Sequence, residues 1–400
     1  MRTTRKALII GCGIAGPVMA LFLQEAGIES EIYEAQTAPR DEAGAFLNLA
    51  PNGVNILKTL ELDQWLSVAG FHSAGMDFFN GRGKLLAQLE SEDEEERFGS
   101  RNVVIKRGQL QRILRDEAVR RNIPIHWGKK ITGLQPGGFQ GIVAKFEDGS
   151  EAAGTFLVGC DGIHSRTRQL IFPRAPQPVY TGLIDCGGFA QCPPGLSTSG
   201  AMQMIFGRKA FFGYIPKSDG EVYWFSNIPR PAEPTRQELN ALSDHDWRQQ
   251  LLHHHATDPA FIAEIIQATP GEIGKWPVYD LPSLPSWHKG PVCLIGDAAH
   301  ATSPHSGQGA SLALEDAAVL ARCLRDSLDT ETAFATFVQL RKERVEKIVR
   351  QARRTGNSKA LSNPVAIWLR DRLLPFFIRM GAKSAEPVLA YKVNWERQTA

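Results

Sequence analysis

The segment Gly11-Cys12-Gly13-Ile14-Ala15-Gly16 constrains this chain more than any other, because it joins a short apolar run at 7–10 to a helically spaced run at 18–26. Glycines at such a strand-to-helix turn have physical tasks. The first makes the turn, the second lets backbone approach a pyrophosphate, and the third lets helix and strand pack closely. The helix N-terminus then meets phosphate charge with exposed N–H groups. Glu34 follows the next strand, 31–33, at about the ~20-residue offset where an acid accepts hydrogen bonds from a ribose hydroxyl. An acid there favours an unphosphorylated ribose. The unit predicts a dinucleotide site and leaves both FAD and NAD open.

The 400 residues exceed what one hydrophobic core organises, so two interleaved regions are expected. Helical spacing over 52–66 gives way to a hairpin pattern over 76–89 around Asn80-Gly81-Arg82-Gly83. The stretch 103–121 reads as helical, 123–156 as short strands, and 156–158 as a buried strand. From 173 to 229, glycine, proline and alternating aromatics such as Phe211-Phe212-Gly213-Tyr214 predict a separate antiparallel sheet. Residues 231–269 read as helical, 292–295 as another buried strand, and helices follow from 310 almost to the end. The expected class is α/β: a Rossmann-like cofactor domain (1–75, 101–172 and 290–330) interleaved with an antiparallel β-sheet substrate domain (76–100 and 173–289), then C-terminal helices (331–400).

A net charge of +2 gives no field suited to nucleic acid. No window reaches the ~18 apolar residues of a membrane span, so no integral membrane insertion is expected. The opening residues lack a signal-peptide pattern, which predicts a cytoplasmic, reducing location. The six cysteines show no paired close spacing and read as buried free thiols. The acidic run at 91–96 reads as a solvated loop. His253-His254-His255 reads as a solvated helix face, since adjacent helical residues point in different directions; no metal is expected.

Two further strands end in acids: Leu157-Val158-Gly159-Cys160-Asp161-Gly162 and Leu294-Ile295-Gly296-Asp297-Ala298-Ala299-His300. Ligands of open α/β sheets sit beyond such strand ends, so both aspartates and the glycine turn point at one crevice. Together these motifs resemble the aromatic hydroxylase family of flavoprotein monooxygenases, including salicylate hydroxylase-like and tetracycline-inactivating members, over nearly the whole chain. The resemblance implies non-covalent FAD with its pyrophosphate on Gly11, Gly13, Ile14, Ala15 and Gly16, and its adenosine ribose at Glu34 and Ala35. Arg107, in Val104-Ile105-Lys106-Arg107-Gly108-Gln109-Leu110, matches an arginine that helps hold FAD. The stretch from Cys160 to Arg168, with Asp161 and Gly162, matches one implicated in binding both FAD and NAD(P)H. Asp297 matches the carboxylate on the ribityl chain. The loop Pro304-His305-Ser306-Gly307-Gln308-Gly309 matches one lying against the isoalloxazine, with a helix starting near Ala310. Such a helix N-terminus stabilises the negative charge of reduced flavin. Arg40 and Gly44-Ala45-Phe46 resemble another flavin contact, although Phe46 replaces the usual small aliphatic residue.

By the same resemblance, NAD(P)H transiently reduces FAD, dioxygen adds, and a flavin C4a-hydroperoxide transfers one oxygen atom to an aromatic or polycyclic small molecule. The cofactor carries the hard chemistry. The second sheet is expected to cover the flavin, with Phe212, Tyr214 and Trp224 as candidate substrate contacts. Arg208 and His300 are candidate acid–base or anchoring groups. The amphipathic stretch 364–381 is expected to pack over both domains rather than on a membrane. Rival readings are a flavin-dependent halogenase, partly matched by Trp224-Phe225-Ser226-Asn227-Ile228-Pro229; a double-bond reductase on the same scaffold; and a flavin- or metabolite-binding protein without turnover.

Overall fold

A computed structural model of the chain describes residues 5–39, 41, 45–138, 141–196, 199–356 and 364–399. Arg40 and Gly44, expected flavin contacts, lie outside these residues, as does the side chain of His305. Ala7, Leu8, Ile9 and Ile10 offer water no polar face, and they form a strand, Lys6–Ile10, buried at the centre of a six-stranded sheet. Its neighbours are Phe156–Gly159 on one side and Glu29–Tyr33 on the other, both parallel. Val292–Leu294 adds in parallel beyond Phe156–Gly159, and Ile125–His126 beyond Glu29–Tyr33. The helix Ala15–Glu25 packs on this sheet, with Val18 to Leu23 buried.

The second layer is a seven-stranded sheet in the order Gly274–Asp280, Val179–Gln191, Glu221–Pro229, Phe211–Pro216, Met202–Phe206, Gly75–Asn80, Leu85–Glu90. Its pairs are antiparallel except Met202–Phe206 with Gly75–Asn80. Strand alternation gives the sheet two distinct faces. Phe212, Tyr214, Val222 and Trp224 share one face and pack with Trp247, Leu251, Ile262, Ile265 and Ile266 of the helices Asp244–His254 and Ala260–Ala268. Ile215, Tyr223, Phe225 and Phe189 share the other and pack toward Val104, Phe46 and Phe71.

Several local readings change. Val103–Lys106 is a strand, not the start of a helix; its β-branched run pairs with Phe46–Leu49, and the helix begins at Arg107. The acidic run at 91–96 leads into the helix Glu94–Phe98, and Glu94 is buried, accepting from the Asn102 backbone N–H (2.9 Å) and Nδ2 (2.7 Å). Cys12 and Cys192 are half-buried, not buried. The C-terminal helices are Gly309–Asp326, Thr330–Gly356 and Pro364–Leu389. No described helix is long and apolar enough to cross a membrane.

Candidate active site

Ile10, Gly159 and Leu294 end three adjacent parallel strands at one edge, so the loops that follow them converge. They are in contact. A Cβ on Gly11, whose φ is +106°, would lie 2.6 Å from the Cys160 carbonyl oxygen, and one on Gly296 3.0 Å from Ala313 and 3.6 Å from Ala15. Glycine is required at both close approaches. At Gly16 a Cβ would lie 1.9 Å from the Gly11 carbonyl oxygen, so helix and strand pack through it. At Gly13 the nearest atom would be Gln111 Nε2 at 3.9 Å. Nothing in the protein forbids a side chain there, which leaves room for a ligand's close approach as the physical reason for that glycine.

Glu34 closes the glycine turn from the side. Its carboxylate accepts from the Cys12 N–H at 2.7 Å and the Gln36 N–H at 2.8 Å. Each oxygen keeps a lone pair for a ribose hydroxyl. Burial, reinforced by the Glu34 charge, pushes the Cys12 thiol up to about 12, so it stays neutral.

Asp161 organises the second loop. It accepts from Ser165 Oγ (2.5 Å), the Thr167 N–H (2.9 Å) and Thr167 Oγ1 (3.0 Å), while burial pushes its carboxyl up. Arg168 then ties this loop to the third. Its fully buried guanidinium donates to the Ile163 carbonyl at 2.6 Å and the Ala298 carbonyl at 3.0 Å.

Asp297 has an exposed side chain at the mouth of the third loop, yet dense protein around it pushes its carboxyl up; the charges of His300 and Arg107 pull the other way. Arg107 is exposed at the start of its helix, with its backbone N–H on the Ala45 carbonyl at 3.0 Å. Two buried side-chain oxygens nearby in sequence, Asn48 Oδ1 and Gln109 Oε1, have no protein partner among the described residues. Buried polar atoms are normally satisfied, so these fit a polar ligand. With the room at Gly13 they suit FAD.

A buried charge network absent from the sequence reading stands behind the third loop. Arg341 donates to Glu315 Oε2 (2.5 Å) and Asp316 Oδ1 (2.8 Å), and Arg344 to Glu315 Oε1 (2.9 Å). Asp316 also accepts from the Gly296 N–H (3.0 Å) and meets His300 Nε2 at 2.5 Å. Asn52 Nδ2 bridges Glu315 Oε1 (2.7 Å) and Gln308 Oε1 (2.9 Å). Two carboxylates facing two guanidiniums remain affordable in a core because charge and hydrogen bonds balance. The network fixes Gly296 beside Asp297, and Gln308 before Gly309 and Ala310. Its signal in the sequence is the acidic pair Glu315-Asp316 flanked by the apolar runs 312–314 and 317–321.

Burial alone would raise the Asp316 carboxyl; the charges of His300 and Arg341, with hydrogen bonds from His300 and Gly296, hold it down at about 2. A depressed carboxyl stabilises the fold above its unfolded value of 3.8, and that contribution is lost as pH falls through about 2. Acid unfolding followed by circular dichroism is expected to show wild type losing about 2 kcal/mol more than Asp316→Asn across this window. Equal slopes for the two proteins would refute the assignment.

The remaining candidates are placed elsewhere. Phe212, Tyr214 and Trp224 are buried in the core beneath the two helices, and Trp224 Nε1 donates to Thr269 Oγ1. The neighbouring residues of each strand, Ile215, Tyr223 and Phe225, face Val104, Phe46 and Phe71 instead. Arg208 is exposed on the turn after Met202–Phe206, and the His300 ring is buried and committed to Asp316, so neither is presented as an acid–base group. A cavity of about 190 Å³ beside His300, lined by Leu281, Trp287 and Val349 together with the charged Glu346, Arg350 and Arg353, includes none of Gly13, Glu34, Arg107 or Asp297. The histidine tract is not one solvated face: His253 is exposed, but His255 is buried between Ser226 Oγ (2.9 Å) and Asp258 Oδ2 (2.8 Å). That line resembles a hydrolytic triad, but Ser226 is fully buried and donates to the Phe211 carbonyl at 2.8 Å, which makes it core architecture.

The FAD-binding domain family model matches residues 4–352. The chain belongs to that family, and it is an FAD-dependent monooxygenase. It is 30% identical over 375 residues to an aurachin C monooxygenase/isomerase of Stigmatella aurantiaca, covering 94% of each chain. It is also 30% identical over 352 residues to an FAD-dependent urate hydroxylase of Klebsiella pneumoniae, covering 87% of this chain and 89% of the relative. The structure of Klebsiella pneumoniae HpxO complexed with FAD and uric acid superposes with a TM-score of 0.86 at 26% identity over 98% of both chains. A salicylate hydroxylase substrate complex shares the fold, with a TM-score of 0.77 at 20% identity over 98% of this chain and 100% of that one.

Proposed function

We propose that this monooxygenase uses NAD(P)H and dioxygen to hydroxylate a small aromatic or heteroaromatic molecule. One oxygen atom enters the ring, the other leaves as water, and NAD(P)H is oxidised. The observation that carries the reading is the aromatic face of the seven-stranded sheet turned toward Phe46. The Tyr223 ring lies 5.5 Å from Phe46, 5.4 Å from Phe71 and 4.7 Å from Phe189, and Phe225 lies 5.9 Å from Phe46. Phe46 directly follows Ala45 and starts the strand that carries Asn48. Such a surface offers flat rings edge and face contacts and keeps water out. Urate, named for one relative, is a flat heterocycle of this kind.

FAD, when bound, supplies the hydride acceptor and the means of activating dioxygen. The residues that would hold it are Gly11, Gly13, Ile14, Ala15 and Gly16 at the pyrophosphate, Glu34 and Ala35 at the ribose, and Ala45, Arg107, Asp161, Gly162, Asp297, Pro304, Gly307, Gln308, Gly309 and Ala310 along the remainder. The chain's own work is to bind, orient and exclude water. Lys106 Nζ sits 4.2 Å from the Phe189 ring centroid and 2.8 Å from Glu221, fixing the edge of the aromatic face. Burial pushes the Tyr223 hydroxyl up, and Glu221 and Asp219 add to it, so it remains a neutral hydrogen-bond donor at pH 7.

The test is anaerobic reduction of bound FAD by NADH or NADPH in the presence of phenols and nitrogen heterocycles, followed by oxygen and mass analysis. Faster bleaching with one compound, oxygen uptake and a product one oxygen heavier are the expected results. NAD(P)H oxidation without oxygen uptake would overturn the hydroxylase in favour of a reductase. A product formed only with halide present would identify a halogenase.

A further inference from the structure

The helix Pro364–Leu389 has two faces with opposite character. Its inner face is pinned at both ends. Asp371 accepts from Asn80 Nδ2 at 3.1 Å, and Arg370 lies over the Phe206 ring, 5.2 Å from its centroid, at the end of the seven-stranded sheet. Further along, Glu386 pairs with Arg97 at 2.6 Å, and the Val388 carbonyl accepts from Arg344 Nη2 at 3.0 Å. The helix also covers Leu85–Glu90, the edge strand of that sheet.

The outer face is apolar and basic. Leu369, Leu373, Phe376 and Met380 follow one another at spacings of 4, 3 and 4, which aligns them on one stripe, with Phe377 beside it. All five are exposed, Phe376 by 64% and Met380 by 51%, and Trp368 is 61% exposed. Arg372, Arg379 and Lys383 form a parallel exposed row at spacings of 7 and 4. Among the described residues none of these three cations has a carboxylate partner, whereas both acids of the helix, Asp371 and Glu386, are paired. Five large apolar side chains within one arc of the described helix, with Trp368 on the other flank of the row of cations, exceed the scattered exposure normal for a protein surface.

We infer that this face docks on an anionic phospholipid surface, lying in the bilayer interface with Phe376, Phe377, Leu373 and Met380 among the acyl chains and Arg372, Arg379 and Lys383 among the headgroups. Charge selects this occupant. A second copy of the chain related by a two-fold axis would bring both rows of cations into one interface, and among the described residues of the helix both carboxylates, Asp371 and Glu386, are already paired elsewhere. A bilayer with anionic headgroups meets every cation, and long basic side chains reach headgroups while their stems stay apolar. The inner-face contacts at Asp371 and Arg370 would then hold the substrate sheet beside the membrane. The inference stands apart from the proposed hydroxylation.

The test is co-sedimentation of the FAD-loaded protein with vesicles of phosphatidylcholine alone or with phosphatidylglycerol added, alongside tryptophan fluorescence. Three cations predict roughly a hundredfold preference for the anionic vesicles at low salt, declining as salt is raised. A blue shift on binding that is absent in Trp368→Phe assigns the contact to this face. F376E/F377E, with FAD content and melting unchanged, is expected to stay in the supernatant. Equal partitioning of wild type to both vesicle types, or no binding to either, overturns the proposal. A dimer by light scattering that F376E/F377E converts to monomer also overturns it and assigns the face to a second copy.

Discussion

Replacing Arg341 by Met is expected to lower the unfolding free energy by about 3–5 kcal/mol, because it leaves Glu315 and Asp316 buried with too little positive charge. The side chain is fully buried, and it reaches both carboxylates at once, so no solvent can take over its role. Total stability of folded proteins is about 5–15 kcal/mol, which makes this a large fraction of the whole. Urea unfolding measures it. Adding Asp316→Asn to Arg341→Met is expected to recover part of the loss, since the second substitution removes one of the stranded charges. FAD affinity is expected to fall as well, because Gly296 and Gln308 lose the scaffold that aims their loop. A loss below about 1 kcal/mol with unchanged FAD affinity would show that the network is dispensable.

The glycine turn predicts a separation between folding and cofactor binding. In Gly16→Val the new side chain collides with backbone at 1.9 Å, so strand and helix must part; lost stability and lost flavin absorbance are expected together. In Gly13→Ala the new methyl meets nothing closer than Gln111 at 3.9 Å. That variant is expected to melt within about 0.5 kcal/mol of wild type while binding FAD roughly a hundredfold more weakly, because the methyl occupies ligand space. Titration of the apoprotein with FAD, read by flavin fluorescence, checks it. Wild-type affinity in Gly13→Ala would remove the pyrophosphate from this turn.

The parts of the site that depend on local chain geometry were legible in the sequence. The glycine hexad, Asp161 and Asp297 each follow an apolar strand, and adjacency of those strands is enough to bring them together. What escaped depends on facts a single strand does not carry. Alternation makes Phe212, Tyr214 and Trp224 candidate substrate contacts, but a period of two says only that they differ from Phe211, Tyr223 and Phe225, not which set faces Phe46 and which the helices. His255 was read with its neighbours as solvated because its partners, Ser226 and Asp258, lie across a strand and a turn. Arg341 escaped for the same reason: it meets Glu315 and Asp316 from a different helix, and no local pattern announces a tertiary ion pair.

The order of strands in the six-stranded sheet sets a timetable for synthesis. Lys6–Ile10 leaves the ribosome well before its neighbour Phe156–Gly159 and the strand beyond, Val292–Leu294. At about 5–20 residues per second this strand waits on the order of ten to thirty seconds for that neighbour, and longer for Val292–Leu294. Throughout that interval four consecutive apolar residues have one open edge, which exposes the nascent chain to aggregation. Closure also waits for Trp395, which seats its ring 5.1 Å from Phe22 on the helix Ala15–Glu25. The cofactor layer is therefore begun at Lys6–Ile10 and completed only by segments far along the chain.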